Sequence, residues 1–271
     1  GNVTLLTETH VTGIDLDSNR ATGIRFRRRG KAGKARARRE VLLAAGAFNS
    51  PQILMLSGIG PADHLREHGI EPVADLSGVG RNLQDHMSVN VAVSRPDPGR
   101  FQGELRADRM ALSMARAHLF GTGPATMLPG GLHGYVRMGE ETQVPDIQLM
   151  FRATTSSPRL WFPVVRPSRR DSYGVRVNLL HPKSRGRLRL RSADPNENAR
   201  LTGGFPSADA DVRLIRDGVR FAREFLADRI LDPFRGAETV PGPEMTSDGD
   251  LESWIRASCV TVHHPCGTCA M

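Results

Sequence analysis

The feature that most constrains the fold is a short apolar run that passes through a glycine into a helix-type sequence. Residues 40–45 read Glu-Val-Leu-Leu-Ala-Ala, a continuous apolar segment typical of a strand buried on both faces. Gly46 follows, and Ser50 with Pro51 then predicts a helix cap and a proline at the first helical position. Because glycine lets a ligand approach the backbone and a helix start offers free N–H donors, the pattern predicts an α/β unit able to contact a cofactor.

The segments around this unit predict a mixed fold with two kinds of sheet. Strands are expected at residues 3–6, 11–16 and 21–26, and a short helix at 61–68. Further strands at 132–137, 146–151, 173–180 and 186–191 are separated by proline-rich turns rather than helices, which favours an antiparallel sheet. Ser207 is expected to cap a long helix with an apolar face formed by Val212, Ile215, Val219, Ala222 and Leu226.

The net charge of +8 comes from one segment. Residues 20–39 contain ten Arg and Lys and no acid, which leaves 27 basic against 29 acidic residues elsewhere. Phe26 is the one aromatic residue among these charges, so the stacking pairs of a nucleic-acid site are absent from the segment. We therefore expect an exposed hairpin that turns at Gly30 or Gly33, and no nucleic-acid partner.

The cysteines and the hydropathy exclude other classes. Three cysteines lie in the last thirteen residues, an odd and clustered set unlike a secreted disulfide framework, so a cytoplasmic compartment is expected. Cys266 and Cys269 match half of a zinc-deaminase signature, but none of the nine histidines is followed two positions later by Glu, and no metal is expected. No apolar run approaches the roughly 18 residues of a membrane span, and no signal peptide is visible. Both ends of the chain look cut.

Four strings in order are more specific than any of these patterns. They are Gly46-Ala-Phe-Asn-Ser-Pro-Gln-Ile-Leu-Met-Leu-Ser-Gly-Ile-Gly60, Gly78-Val-Gly-Arg-Asn-Leu-Gln-Asp-His86, His181-Pro-Lys-Ser-Arg-Gly-Arg-Leu188 and His263-His-Pro-Cys-Gly-Thr-Cys-Ala-Met271. Together they resemble the signatures of the glucose-methanol-choline (GMC) oxidoreductases. The resemblance implies an α/β (α+β) protein with a partial FAD-binding lobe and an antiparallel substrate lobe. It divides the chain into residues 1–88 of the FAD lobe, 89–256 of the substrate lobe, and 257–271 returning to the flavin.

The resemblance also implies roles for single residues. His264 corresponds to the catalytic histidine of the family's His-Pro pair, and His263 to a position that lies against the flavin. Val11 corresponds to the valine whose backbone holds the adenine, and Ala45 and Gly46 lie at the strand end near the cofactor. A neutral imidazole at His264 can take the hydroxyl proton of an alcohol.

The implied activity is FAD-dependent oxidation of a small-molecule alcohol to an aldehyde or ketone. The family's glycine-rich flavin motif would lie upstream and its second catalytic His or Asn downstream, so the chain alone is expected to bind FAD poorly. Two alternatives stay open: a lyase on the same scaffold, and a non-catalytic remnant or binding protein.

Overall fold

The computed structural model describes residues 2–127, 131–139, 142–154, 158–203 and 205–270. The strands are β1 (Thr9–Asp17), β2 (Arg20–Arg28), β3 (Lys31–Arg36), β4 (Ile59–Gly60), β5 (Ala74–Asp75), β6 (Met87–Ser94), β7 (His133–Val136), β8 (Ile147–Arg152), β9 (Ser172–Leu179), β10 (Arg187–Arg189), β11 (Arg200–Thr202), β12 (Glu238–Val240) and β13 (Val260–Thr261). The α-helices are α1 (Gly46–Leu56), α2 (Ala62–Glu67), α3 (Arg100–Glu104), α4 (Ala107–Phe120), α5 (Asp209–Leu226) and α6 (Asp248–Ser258).

The chain forms two compact units, each built from separate stretches of sequence. Unit 1 comprises Gly1–Asp85, Ser184–Phe205 and His263–Met271. Unit 2 comprises His86–Lys183 and Pro206–Val262. The mixture of helix and sheet confirms the predicted α/β (α+β) class, whereas the bounds of the lobes in the complete protein stay a prediction. None of the helices in the described part of the chain is both long and apolar enough to cross a bilayer.

Unit 1 contains the basic segment as an antiparallel three-stranded sheet in the order β1-β2-β3. The expected hairpin is confirmed: β2 pairs with β3 and the chain turns at Arg29 and Gly30, both in left-handed conformation. Two short ladders complete the unit, β4 with β5 and β10 with β11. Its apolar core joins α1 and α2 to the β10 region through Met55, Leu65, Val79, Leu188 and Leu190.

Two predicted strands of unit 1 are wrong. Residues 3–6 and 40–45 have no assigned secondary structure, and the side chains of Val3 and Leu42 are 85% and 81% exposed. A strand requires hydrogen bonds to a neighbouring strand, however apolar its own sequence is. No described segment pairs with either run, so neither forms a strand.

The predicted helix after Gly46 exists but begins earlier than expected. It begins at Gly46 with Ala45 as the N-cap residue, which places Pro51 inside the helix instead of at its first position. Ser50 acts as a helical residue whose hydroxyl accepts a hydrogen bond from the Ala45 amide at 3.1 Å. The helix therefore starts directly at the glycine.

Unit 2 is organised around an antiparallel sheet in the order β12-β6-β9-β8-β7, with β13 added to β6. The predicted antiparallel character of this region is confirmed, with one correction. Residues 186–191 do not join this sheet, because β10 pairs with β11 in unit 1. The segment between β6 and β7 also contains helices α3 and α4, which the proline-rich composition did not predict.

Helix α5 covers one face of this sheet, and its predicted apolar face is confirmed. Val212, Ile215, Val219, Ala222 and Leu226 are all buried. Gly218 permits close packing, because a Cβ there would lie 2.6 Å from a methyl carbon of Val177 on β9. The helix begins at Asp209 with Ala208 as N-cap, so Ser207 is not the capping residue that the sequence predicted.

Candidate active site

The His-Pro segment lies against residues 82–85 within unit 1. The Gln84 amide donates to the Cys266 carbonyl at 3.0 Å, and the Cys266 amide donates back to Gln84 at 2.9 Å. Next to this pair, the His264 amide donates to the Asp85 carboxylate at 2.9 Å. Asp85 is 8% exposed while His264 is an exposed residue. The main chain at His264 is therefore fixed by a buried carboxylate.

The turn that follows requires a glycine. Gly267 has a φ of 90°, and a Cβ there would lie 2.3 Å from the Asn82 carbonyl oxygen, so no other residue fits without moving the backbone. One residue later, the Thr268 carbonyl accepts from the Gly80 amide at 2.8 Å. The segments 78–85 and 263–268 are thereby joined along their length.

A third segment joins the same cluster. Leu83 and Gly186 form a bridge, with the Leu83 amide donating to Gly186 at 3.0 Å and the Gly186 amide donating back at 2.8 Å. Arg185 donates through Nε to the Asn82 side-chain oxygen at 2.9 Å. Residues from three of the four signature strings therefore meet in unit 1, although the strings lie far apart along the chain.

The fourth string is attached through one side chain. Thr268 is 1% exposed, and its hydroxyl donates to the Ala47 carbonyl in the first turn of α1 at 2.6 Å. This bond connects the segment that carries His264 to the helix that starts at Gly46. The structure thus brings His263, His264, Ala45 and Gly46 into one cluster of four interconnected segments.

The comparisons with known proteins agree with this arrangement. Family models described as GMC oxidoreductase match residues 1–88 and 182–271. The chain belongs to the GMC oxidoreductase family. The cofactor of this family is FAD, which confirms the expected cofactor and the oxidoreductase class.

The relatives of this GMC chain are longer proteins. It is 36% identical to an oxygen-dependent choline dehydrogenase from Brucella canis over 258 residues, which are 95% of this chain and 46% of the relative. It is 34% identical to oxygen-dependent choline dehydrogenase 1 from Chromohalobacter salexigens, covering 98% of this chain and 47% of the relative. A solved structure of formate oxidase from Aspergillus oryzae RIB40 superposes with a TM-score of 0.86 at 25% identity, over 96% of this chain and 50% of that chain. The GMC chain thus spans about half the length of the relatives it matches.

The residues around Gly46 fit a flavin nucleotide. Gly46 has a φ of 79°, and a Cβ built there would meet nothing within 4 Å, so the space beside Gly46 is open. Ala45 is the N-cap residue and is partly exposed. The free amides of a helix N-terminus can bind an anionic group. The helix start is thus compatible with the role that the family resemblance implies.

Val11 also fits its implied role. It lies on β1, the edge strand of its sheet, and a register shift between Val11 and Gly13 interrupts the ladder with β2. Within the described residues no strand pairs with the other edge of β1. An unpaired edge leaves main-chain groups for a ligand, which is how a valine backbone could bind an adenine ring.

His263 adopts an unusual backbone conformation. Its φ of 64° lies in the left-handed region, which is uncommon for residues other than Gly, Asn and Asp. Such conformations persist where the surrounding structure holds them, here through the bonds made by His264 and Cys266 on its C-terminal side.

The sequence did not predict the roles of two residues in this cluster. Asp85 and Thr268 lie within the matched strings, but no local pattern indicated that their side chains bind backbone groups elsewhere. A separate buried residue, His64, is 4% exposed. Its Nε2 accepts from the Leu190 amide at 3.0 Å, and its Nδ1 faces Glu67 Oε2 at 3.1 Å. His64, Glu67 and His68 lie close enough to hold a metal ion, but both ring nitrogens of His64 are already engaged.

Proposed function

We propose that the complete protein oxidises a small alcohol to an aldehyde or ketone with FAD, and that His264 accepts the hydroxyl proton. The observation that carries this proposal is the fixed position of His264. Its amide is held by buried Asp85, and the segment around it is bonded to the helix start at Gly46. A general base must be held within hydrogen-bond reach of the proton it takes, and this cluster provides a rigid support for one.

The chemistry of this site divides between the cofactor and the chain. FAD, when bound, supplies the acceptor for the hydride that leaves the alcohol carbon. The neutral imidazole of His264 removes the hydroxyl proton, so that the C–O bond can become C=O. Val11, Ala45 and Gly46 would hold the nucleotide through backbone groups, and His263 would lie beside the ring system. The substrate of the choline dehydrogenases is one candidate within this class.

The test compares the two adjacent histidines in the complete protein. His264→Ala should leave FAD bound but slow flavin reduction by about a hundred- to ten-thousand-fold, the usual effect of losing a general base. Stopped-flow absorbance at the flavin band measures this step, with the carbonyl product quantified in parallel. His263→Ala is the matched control and should have the smaller effect.

The outcomes separate the alternatives. A larger loss in His263→Ala than in His264→Ala would show that His263, and not His264, is the base. Product formation without flavin reduction would indicate a lyase on the same scaffold. If the complete protein binds FAD but none of the alcohols added reduces the flavin, the protein is a non-catalytic relative.

A further inference from the structure

The connection between β8 and β9 contains a small hairpin that is fixed at its base. The Phe162 amide donates to the Arg166 carbonyl at 2.8 Å, and the Arg166 amide donates back to Phe162 at 2.9 Å. At the base of the hairpin, the indole N–H of Trp161 donates to the Gln102 carbonyl of α3 at 2.8 Å. These bonds hold the turn between Phe162 and Arg166 in one position on unit 2.

The turn of this hairpin is apolar and projects into solvent. Residues 162–165 read Phe-Pro-Val-Val, and we call them the apolar tip. Val164 is 99% exposed, Val165 is 82% exposed and Phe162 is 45% exposed. Turns at the surface usually consist of glycine, proline and small polar residues, so three large apolar side chains in one turn are unusual. Their transfer from water into an apolar environment would be favourable.

Val164 also has a strained backbone. Its φ of 68° lies in the left-handed region, where the branched Cβ of a valine crowds the following carbonyl. With its side chain exposed, Val164 gains no burial within unit 2 that offsets this strain. A contact of the valine side chain outside the unit would offset it, and such outliers cluster at functional positions.

Four arginines border the apolar tip, and we call them the basic rim. They are Arg159, Arg166, Arg169 and Arg170, and residues 158–170 contain neither Asp nor Glu. Desolvation lowers the pKa of Arg159, and the charges of Arg169 and Arg166 lower it further. None of the four guanidinium groups forms a salt bridge within the part of the chain that the structure describes. The basic rim therefore offers positive charge to an external anionic partner.

We propose that the apolar tip and the basic rim attach the protein to a membrane surface that contains anionic lipids. Valine and phenylalanine side chains can enter the apolar layer of a bilayer, while arginines bind the phosphate groups above it. A second copy of the chain is a poorer match, because each side of a stable protein interface contributes roughly 20–30 residues and the tip has only a few. The surface lies in unit 2 and does not depend on the proposed role of His264.

The test is cosedimentation of the complete protein with lipid vesicles. We expect binding to vesicles of equal parts phosphatidylcholine and phosphatidylglycerol, and binding weaker by about tenfold or more to phosphatidylcholine alone, since each arginine near an anionic surface contributes about fivefold. The double variant Val164→Asn, Val165→Ser should weaken binding to the mixed vesicles by about tenfold or more. Asparagine tolerates the left-handed conformation, so this variant should unfold at no lower denaturant concentration than the unmodified protein. Ile230→Asn, which removes a 77% exposed side chain elsewhere in unit 2, is the matched control and should bind normally.

A second pair of variants tests the charge. Arg169→Gln with Arg170→Gln should weaken binding to the mixed vesicles by about tenfold or more and leave the weak binding to phosphatidylcholine unchanged. Arg213→Gln removes an exposed guanidinium from α5 and should bind both kinds of vesicle like the unmodified protein.

The remaining outcomes decide between lipid and other partners of the tip. Val164→Cys in the complete protein should react with a water-soluble maleimide beyond the labelling of the unmodified protein. If it does not, the rest of the complete chain covers the tip, and the proposal is overturned. Absence of vesicle binding, or equal binding by the double valine variant and the unmodified protein, would also overturn it. A dimer that the double valine variant dissociates, measured by analytical ultracentrifugation, would assign the tip to a second copy instead of a lipid surface.

Discussion

The Thr268 hydroxyl donates to the carbonyl oxygen of Ala47, the one acceptor in the first turn of α1 that Pro51 leaves without its helical donor. In a regular helix the amide of residue 51 would bond to the carbonyl of residue 47, but proline has no N–H. Thr268 replaces that donor at 2.6 Å and is itself 1% exposed. A threonine in one signature segment thus supplies the hydrogen-bond donor that a proline in another segment lacks.

This relationship predicts a specific rescue. Thr268→Val keeps the shape of the side chain but leaves the partly buried carbonyl of Ala47 unpaired, which should cost about 0.5–1.5 kcal/mol of stability. Pro51→Ala supplies a backbone N–H for the same carbonyl, so Thr268→Val should cost much less in that background. Denaturant unfolding of the four proteins of this cycle measures the coupling.

Thr268→Ser is the conservative control and should retain most of the stability, since it keeps the hydroxyl. An equal loss from Thr268→Val with and without Pro51 would mean that the hydroxyl acts through another partner.

The elements that were predicted correctly are those that a pattern within a single segment specifies. The apolar face of α5 and the β2–β3 hairpin follow from periodicity and turn residues within one segment. The strand expected at 40–45 failed because strand formation requires a neighbouring strand, which no local pattern supplies. Asp85 and Thr268 were missed for a related reason. Their bonds join residues 179 and 221 positions apart, so neither partner alters the sequence around the other.

The second prediction concerns the carboxylate that holds His264, and it rests on the proposed role of that residue. Asp85→Ala removes the acceptor of the His264 amide, and a shift of about 1 Å at a catalytic group can cost up to about a hundredfold in rate. We expect slower flavin reduction in the complete protein with flavin content unchanged. Asp85→Asn keeps an oxygen acceptor and should retain most of the rate. If the two variants slow the reaction equally, the negative charge of Asp85 matters rather than its hydrogen bond.

The third prediction concerns the basic hairpin. Arg27 and Arg29 are exposed, and Arg29 pairs with exposed Glu8 at 2.6 Å, an interaction worth about 0–1 kcal/mol. Reversing both charges with Arg27→Glu and Arg29→Glu should leave turnover of the complete enzyme unchanged and stability within about 1 kcal/mol. Turnover and unfolding measurements check this expectation. Salt-sensitive binding to nucleic acid that the double variant abolishes would show that the hairpin has a partner after all.

The last prediction is a pH dependence centred on His64. The Leu190 amide donates to Nε2 at 3.0 Å, so the proton of the neutral ring is on Nδ1, where Glu67 accepts it. Protonation would place a second N–H against the Leu190 amide. Burial lowers the pKa of His64 from its ordinary value of 6.5, and the charges of Arg189 and His68 lower it further, against the opposing effect of Glu67.

The sign follows from this direction of shift. Between the lowered pKa of the folded state and 6.5, the unfolded chain binds the proton more readily, so the contribution of His64 is present above pH 6.5 and is lost as the pH falls. Hydrogen exchange at the Leu190 amide, expressed as a protection factor, should therefore decrease from pH 7.5 to 5.5. His64→Gln retains an acceptor but cannot titrate, so its protection should stay level across this range. His118→Gln, which removes an exposed histidine at the end of α4, should behave like the unmodified protein. A parallel decrease in the unmodified protein and in His64→Gln would assign the pH dependence to another group.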